Sequence, residues 1–248
     1  MRLRIRYTKQ GRVRFISARD LSSVWERALR RAEIPIAYSQ GFTPHPKVSF
    51  PDALPVGYAS TGEYAELTLA TDIDPGTGLA RLSAALPTGM DITTYLVVPD
   101  GARRFAKYLQ ATLWDIAWEP DVDTTPDLVD DLRHRADALL ASDAVEVVRH
   151  RPKGDRILDV RPPLVDVAVD PGDPSEPRAI FRAVLRNDGP TIRPTDLKVA
   201  LDGLADHPLP DPRLYTRVAQ GAVVDDGVVE ALTQQVEPLT PGRHAEAA

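Results

Sequence analysis

The chain has 248 residues, 43% hydrophobic and 27% charged, with a net charge of −6, the balance of a soluble globular protein. That length suits two domains of about 100–120 residues, and its lack of cysteine excludes disulfides, thiolate zinc sites, cysteine nucleophiles and self-ligated iron–sulfur clusters. No apolar run approaches the roughly 20 residues of a membrane span, and the start MRLRIRY lacks an apolar signal core, so a cytoplasmic location with no membrane partner is expected.

Residues 2–7 alternate, with Leu3, Ile5 and Tyr7 on one face and Arg2, Arg4 and Arg6 on the other, the period of a half-buried strand. Lys9-Gln10-Gly11 signals a turn, and Arg12-Val13-Arg14-Phe15 resumes the alternation, giving two arginine-lined strand faces in succession. Ser17 caps a helix, with Asp20 in the capping-box position. Leu21, Val24, Trp25, Ala28, Leu29 and Ala32 form its buried stripe, and Arg19, Arg27, Arg30 and Arg31 fall opposite. Pro35 ends it near Glu33 or Ile34. Ile36–Tyr38 starts a strand, and residues 39–46 form a loop. Strands follow at Tyr64–Leu69 and Ile92–Val98, around a helix at Leu79–Leu86 that is ended by Pro87 and Gly89. This β, α, β, β, α, β order is the ferredoxin-like pattern, with an extra hairpin after the first strand.

A second set follows. Thr112, Trp114, Ile116 and Trp118 line one strand face, and Thr125-Pro126-Asp127 opens a helix reaching about Ser142. Val145–His150 and Ile157–Val160 form a hairpin. A strand at Ile180–Leu185, a helix at Pro194–Leu204 and a strand at Leu214–Ala219 complete the set. The expected fold is therefore α+β: tandem ferredoxin-like units with antiparallel sheets. The expected divisions are residues 1–100, residues 107–220 and a disordered tail over 236–248.

Charge is distributed unevenly along this plan. Met1–Phe50 holds 11 Lys and Arg against Asp20, Glu26 and Glu33, a net +8, which leaves −14 for the remainder. Like charges held this close repel, so such a face suits an anionic partner, most commonly a phosphate polymer. Arginine fits phosphate through its planar fork of donors. With only five lysines in the chain, part of the arginine preference is compositional. Beside the basic helix, Gln40-Gly41-Phe42-Thr43-Pro44-His45-Pro46-Lys47 joins a glycine that tolerates unusual backbone geometry to two prolines that stiffen the chain around His45. A histidine so held can stack on a base or donate to a phosphate; the competing reading is a structural connection with a solvated His45. The five histidines lack the short spacing of a helical metal pair, so no metal site is expected. His134 and His150 read as surface positions, and Arg161 and Arg193, each before a proline, read as partners in intradomain salt bridges.

Arg14-Phe15-Ile16-Ser17, Asp20-Leu21, Glu26 to Ala32, Tyr38 to Lys47, Leu54 to Gly57, Ser60 with Glu63-Tyr64, Asp159 to Pro162 and Arg193-Pro194 carry a family resemblance over most of residues 1–200. On these motifs the chain resembles the radical-SAM-linked domain family. These are uncharacterised conserved bacterial proteins that stand alone or are fused behind a radical S-adenosylmethionine protein. The family commonly reads Ser-His-Leu-Asp where Ser17-Ala18-Arg19-Asp20 stands, and asparagine where Thr43 stands, so any role of that family histidine is absent. A weaker resemblance runs to the RAMP superfamily of CRISPR repeat-RNA endoribonucleases, through tandem ferredoxin-like units, a basic helix and a proline-containing loop. Their catalytic histidine maps onto no position here, so this second resemblance implies RNA binding and not cleavage.

The expectation is a cofactor-free accessory protein that binds structured RNA and presents it to a radical S-adenosylmethionine partner, which must itself hold the cluster. Arg12, Arg14, Arg19, Arg30 and Arg31 would hold phosphates, and Gln40, Gly41, Phe42, His45 and Lys47 would read a base or an end. One alternative is a metal-independent ribonuclease using His45. Another is an adaptor whose basic face docks on an acidic surface of the partner protein.

Overall fold

The first strand, β1 (Arg2–Lys9), buries Leu3, Ile5 and Tyr7 on one face, as its alternation requires. We describe the chain from a computed structural model, over residues 1–52, 54–121, 124–172 and 178–240. Its contacts divide it into two units, Met1–Tyr108 with Ala231–Gln234, and Leu109–Glu230 with Gln235–Ala248.

In the first unit β1 leads through a 3-10 turn (Gly11–Phe15) into α1 (Ala18–Arg31), then β2 (Val48–Ser49), β3 (Ala59–Thr68), α2 (Pro75–Ala85) and β4 (Ile92–Val97). β1 lies between β3 and β4, antiparallel to both, and β2 pairs with the far edge of β3 at Val48 opposite Leu67. The order β4-β1-β3-β2 with two helices is the ferredoxin-like arrangement. Leu3 and Ile5 of β1, Trp25 and Leu29 of α1, Leu67 of β3 and Leu82 of α2 meet in one core. Trp25 stands edge-on to Tyr7, their ring centres 5.1 Å apart. α2 begins at Pro75, four residues before the expected start. Asp74 caps it by accepting from the Thr77 amide at 2.9 Å. Hydrogen bonds from the Thr77 side chain and amide hold the Asp74 carboxyl below its ordinary pKa.

Two local expectations fail here. Arg12-Val13-Arg14-Phe15 is no strand: it winds into the 3-10 turn and buries Val13 alone. The hairpin expected after β1 is therefore absent, because a single inward side chain over four residues satisfies a tight helical turn as well as a strand. Ile36–Tyr38 makes only isolated bridges, Ile36 to Leu69 and Tyr38 to Pro46.

The second unit repeats the plan: β5 (Ala111–Trp118), α3 (Thr125–Ala141), a hairpin of β6 (Glu146–Arg149) and β7 (Arg156–Asp159), β8 (Leu164–Asp170), β9 (Ala179–Arg186), α4 (Pro194–Asp202) and β10 (Leu214–Val224). Its order, β10-β5-β9-β8, is antiparallel throughout and equivalent to the first unit's. The β6–β7 hairpin is an insertion. The strand that completes the unit is β8, whose Leu164-Val165-Asp166-Val167-Ala168-Val169 run was not among the expected strands. Arg135 of α3, 1% exposed, grips Asp131, the Leu201 carbonyl and the His207 carbonyl, so α3, α4 and the loop after α4 share one cation. A further pair of strands follows, β11 (Gly227–Glu230) and β12 (Val236–Pro238). Arg182 pairs with Asp115 at 2.6 and 2.7 Å and donates to the Pro238 carbonyl. Burial opposes the Arg182 charge, but the hydrogen bonds and charge of Asp115, helped by Asp170 and Glu237, outweigh it and raise its pKa. Against the expectation of a disordered tail from residue 236, Val236–Pro238 pairs with β11. Residues 241–248 of that tail lie outside the described residues.

Candidate nucleic-acid interface

The first unit positions its cations through a few buried anchors. At the end of β1, Lys9 is 2% exposed, and its Nζ donates to the carbonyls of Arg14 (3.5 Å) and Ile16 (3.4 Å). That ammonium ties down the 3-10 turn where it enters α1. Gly89, at φ +92, brings its carbonyl to the Gln10 amide at 2.9 Å from the other side. A Cβ at Gly89 would lie 2.5 Å from the Gln10 carbonyl oxygen, so only glycine fits this approach. The turn so fixed exposes Arg12 and lays the Arg14 guanidinium over the Phe15 ring, 4.6 Å from its centre.

Ser17 then caps α1, accepting from the Asp20 amide at 3.1 Å and donating to the Asp20 carboxylate at 2.7 Å. Asp20 is thus engaged in the cap. Arg19, Arg27, Arg30 and Arg31 are all exposed along the helix. Among the described residues, Arg30 is the one of these four with an ion pair, to Glu26 at 3.1 Å and one turn away. Arg27 and Arg31, also one turn apart, border a shallow groove floored by Val24, Ala28 and Leu86. No described residue pairs with Arg12, Arg19, Arg27, Arg31 or Lys47.

On the other flank of α1 lies the loop. Its base is closed by the Ser39 amide on the His45 carbonyl (2.8 Å), the His45 amide on Ser39 Oγ (2.9 Å) and the Lys47 amide on the Ala37 carbonyl (2.8 Å). Gly41 takes φ +148, a conformation that side chains rarely adopt, and lets the tip turn. Gln40, Gly41, Phe42 and His45 are exposed, and Phe42 is fully so. Behind the tip, His45, Pro46 and Phe50 face Ser22 and Glu26 of α1 around an open pocket of about 230 Å³, with Trp25 beneath. Among the described residues nothing hydrogen-bonds the His45 ring.

The residues expected at the site therefore sort into three places: the 3-10 turn (Arg12, Arg14), the outer face of α1 (Arg19, Arg30, Arg31) and the loop (Gln40 to Lys47). The arginine-lined face of β1 is a different matter. Arg4 is 3% exposed, bonded to Glu66 at 2.8 Å and to the Arg103 carbonyl at 2.6 Å. Its guanidinium lies 4.7 Å from the Phe105 ring centre and 5.2 Å from that of Tyr108. Arg2 meets the same Glu66. Burial and this shared carboxylate remove Arg2, Arg4 and Lys9 from the free cationic surface. Arg27, one turn from Arg31 on the same exposed helix face, joins the expected residues there. Exposed Phe15 and Tyr38 were unassigned, and no local pattern distinguishes a solvated aromatic from a core one.

In the second unit His134 is exposed, and His150 is exposed with its Nδ1 2.9 Å from Asp155. Among the described residues no carboxylate forms the expected salt bridge with Arg161; its guanidinium donates to the Leu164 and Leu140 carbonyls. The carboxylate beside Arg193 serves other partners, since Asp196 accepts from the Arg193 amide and pairs with Arg149. Among the described residues no group of three or more His, Asp or Glu is placed to hold a metal ion, and no helix is long and apolar enough to cross a membrane.

Residues 2–194 match the model of a family described as an uncharacterized protein conserved in bacteria (DUF2344). The match runs through the first unit's main segment, from Arg2 to Tyr108, and through the second as far as the start of α4. No curated protein matches the chain.

Proposed function

For this chain, which belongs to the family of uncharacterized proteins conserved in bacteria just described, we propose RNA binding through the first unit, in service of a radical S-adenosylmethionine enzyme. The observation that carries the reading is the set of exposed cations without a described acidic partner, Arg12, Arg19, Arg27, Arg31 and Lys47. Leaving such charges unpaired costs self-repulsion, which a phosphate backbone relieves while releasing counterions. Arg30 adds to the set despite its Glu26, because an exposed one-turn pair is weak, about 0.3–0.5 kcal/mol, and yields readily to a phosphate. The chain would contribute binding and orientation, and the radical chemistry would stay with the partner, since this sequence offers no cysteine for a cluster.

Filter binding of RNA over a salt series tests the reading. Affinity should fall steeply as salt rises, and replacing Arg19, Arg27 and Arg31 together by alanine should weaken binding at least tenfold at low salt. Absence of binding at low salt would refute it. Should the chain instead co-purify with a radical S-adenosylmethionine protein after nuclease treatment while binding no RNA, the adaptor reading would replace it. Intact RNA after incubation with the wild-type protein would dispose of the ribonuclease reading based on His45.

A further inference from the structure

Resting on that reading, we propose that the RNA stretch bound by the first unit is unpaired: one base enters the pocket between α1 and the loop, and a neighbouring base stacks on Phe42. Three observations lead there. Phe42 stands fully exposed at the tip of a loop whose base is closed by backbone and Ser39 hydrogen bonds. A phenylalanine held out in water by a well-defined loop forgoes its burial energy, and it presents a flat face of the kind that accepts a base.

The pocket is too small for a helix groove and of a size to hold a single base. Its lining carries Glu26, whose Oε1 pairs with Arg30 at 3.1 Å; no described residue bonds its other carboxylate oxygen, which can accept from the amino groups of a base. The Ser22 hydroxyl, which donates to the Ala18 carbonyl at 3.3 Å, can accept beside it, and the His45 ring, free of described hydrogen bonds, offers a second planar partner. This polar set suits the edge of an uncharged base.

Cations surround the pocket but do not line it. Arg19 lies three residues before Ser22 on α1, and Lys47 lies two residues after His45 on the loop. Phosphates on either side of an inserted base would fall to these. In an A-form duplex the bases are stacked and paired, so neither the pocket nor Phe42 can reach them.

A direct test compares a 12-nucleotide single strand carrying 2-aminopurine with the blunt duplex of the same strand and its complement, using the whole chain at one low salt concentration. The single strand should bind at least tenfold more tightly, and its 2-aminopurine emission should be quenched on binding as the base stacks. Phe42→Ala should lose about tenfold in affinity for the single strand while its melting temperature stays that of the wild type. Equal binding of strand and duplex by the wild type would overturn the inference and leave RNA binding standing, as would a Phe42→Ala protein indistinguishable from wild type. Binding of neither would overturn both.

Discussion

Arg4 lies 3% exposed against Phe105 and Tyr108, so removing the carboxylate of Glu66 strands a charge away from water. Breaking one side of a buried pair costs about 3 kcal/mol or more, and Glu66→Ala should lower the urea midpoint of the first unit accordingly. Replacing exposed Arg19, which has no described partner, should leave that midpoint unchanged and act on binding alone. The same residue type thus serves two ends, and local sequence does not separate them. Arg2, Arg4 and Arg6 alternate with apolar residues in the way a solvated strand face does. What decides the fate of Arg4 is the arrival of Phe105 and Tyr108, about 100 residues later in the chain, on the face that the alternation leaves open. The loop residues were more legible, because Gly41 and the prolines around His45 restrict the backbone whatever surrounds them.

Among the elements, α1 was readable at its start and along its faces. Its apolar stripe and the Ser17 cap fix a helix by local chemistry, but it ends at Arg31, before the expected Glu33 or Ile34, because Glu33 turns out of the helix at φ +52 ahead of Pro35. The 3-10 turn before it was not readable, because what holds it is tertiary: Lys9 on the Arg14 and Ile16 carbonyls, and Gly89 against Gln10. Gly89→Ala meets both a strained φ and a 2.5 Å clash with backbone, and should cost about 2–3 kcal/mol, measured by thermal unfolding. Because that contact aims Arg12 and Arg14, the variant should also lose RNA affinity at temperatures where it remains folded. At α2 the Asp74-Pro75 start follows the same rule as the proline-marked start of α3, and its cap is present at neutral pH. Since the Asp74 pKa lies below its ordinary value in the folded chain, this contribution is lost as the pH falls through that lowered value. β8 alternates clearly in sequence, but its place beside β9 is fixed only by pairing across the sheet.

Over the whole molecule, the net charge of −6 conceals a +8 segment followed by −14. Bulk charge would have the chain repel nucleic acid, whereas local charge would have it bind. For about five phosphates held on a single strand, the logarithm of affinity should fall against the logarithm of salt with a slope of about −3.5. A slope near zero would mean that the exposed arginines do not contact phosphates. The sequence by itself determined that two α+β units of ferredoxin-like order follow one another, that α1 is a capped basic helix and that no cysteine chemistry is available. Periodicity, capping and composition act over a few residues and survive in any context. Tertiary structure alone decided which cations stay free, that the Arg12–Phe15 segment winds into a 3-10 turn, and that His45 and Glu26 border one pocket. Each of these depends on contacts between residues far apart in the chain, whose energy no local pattern contains.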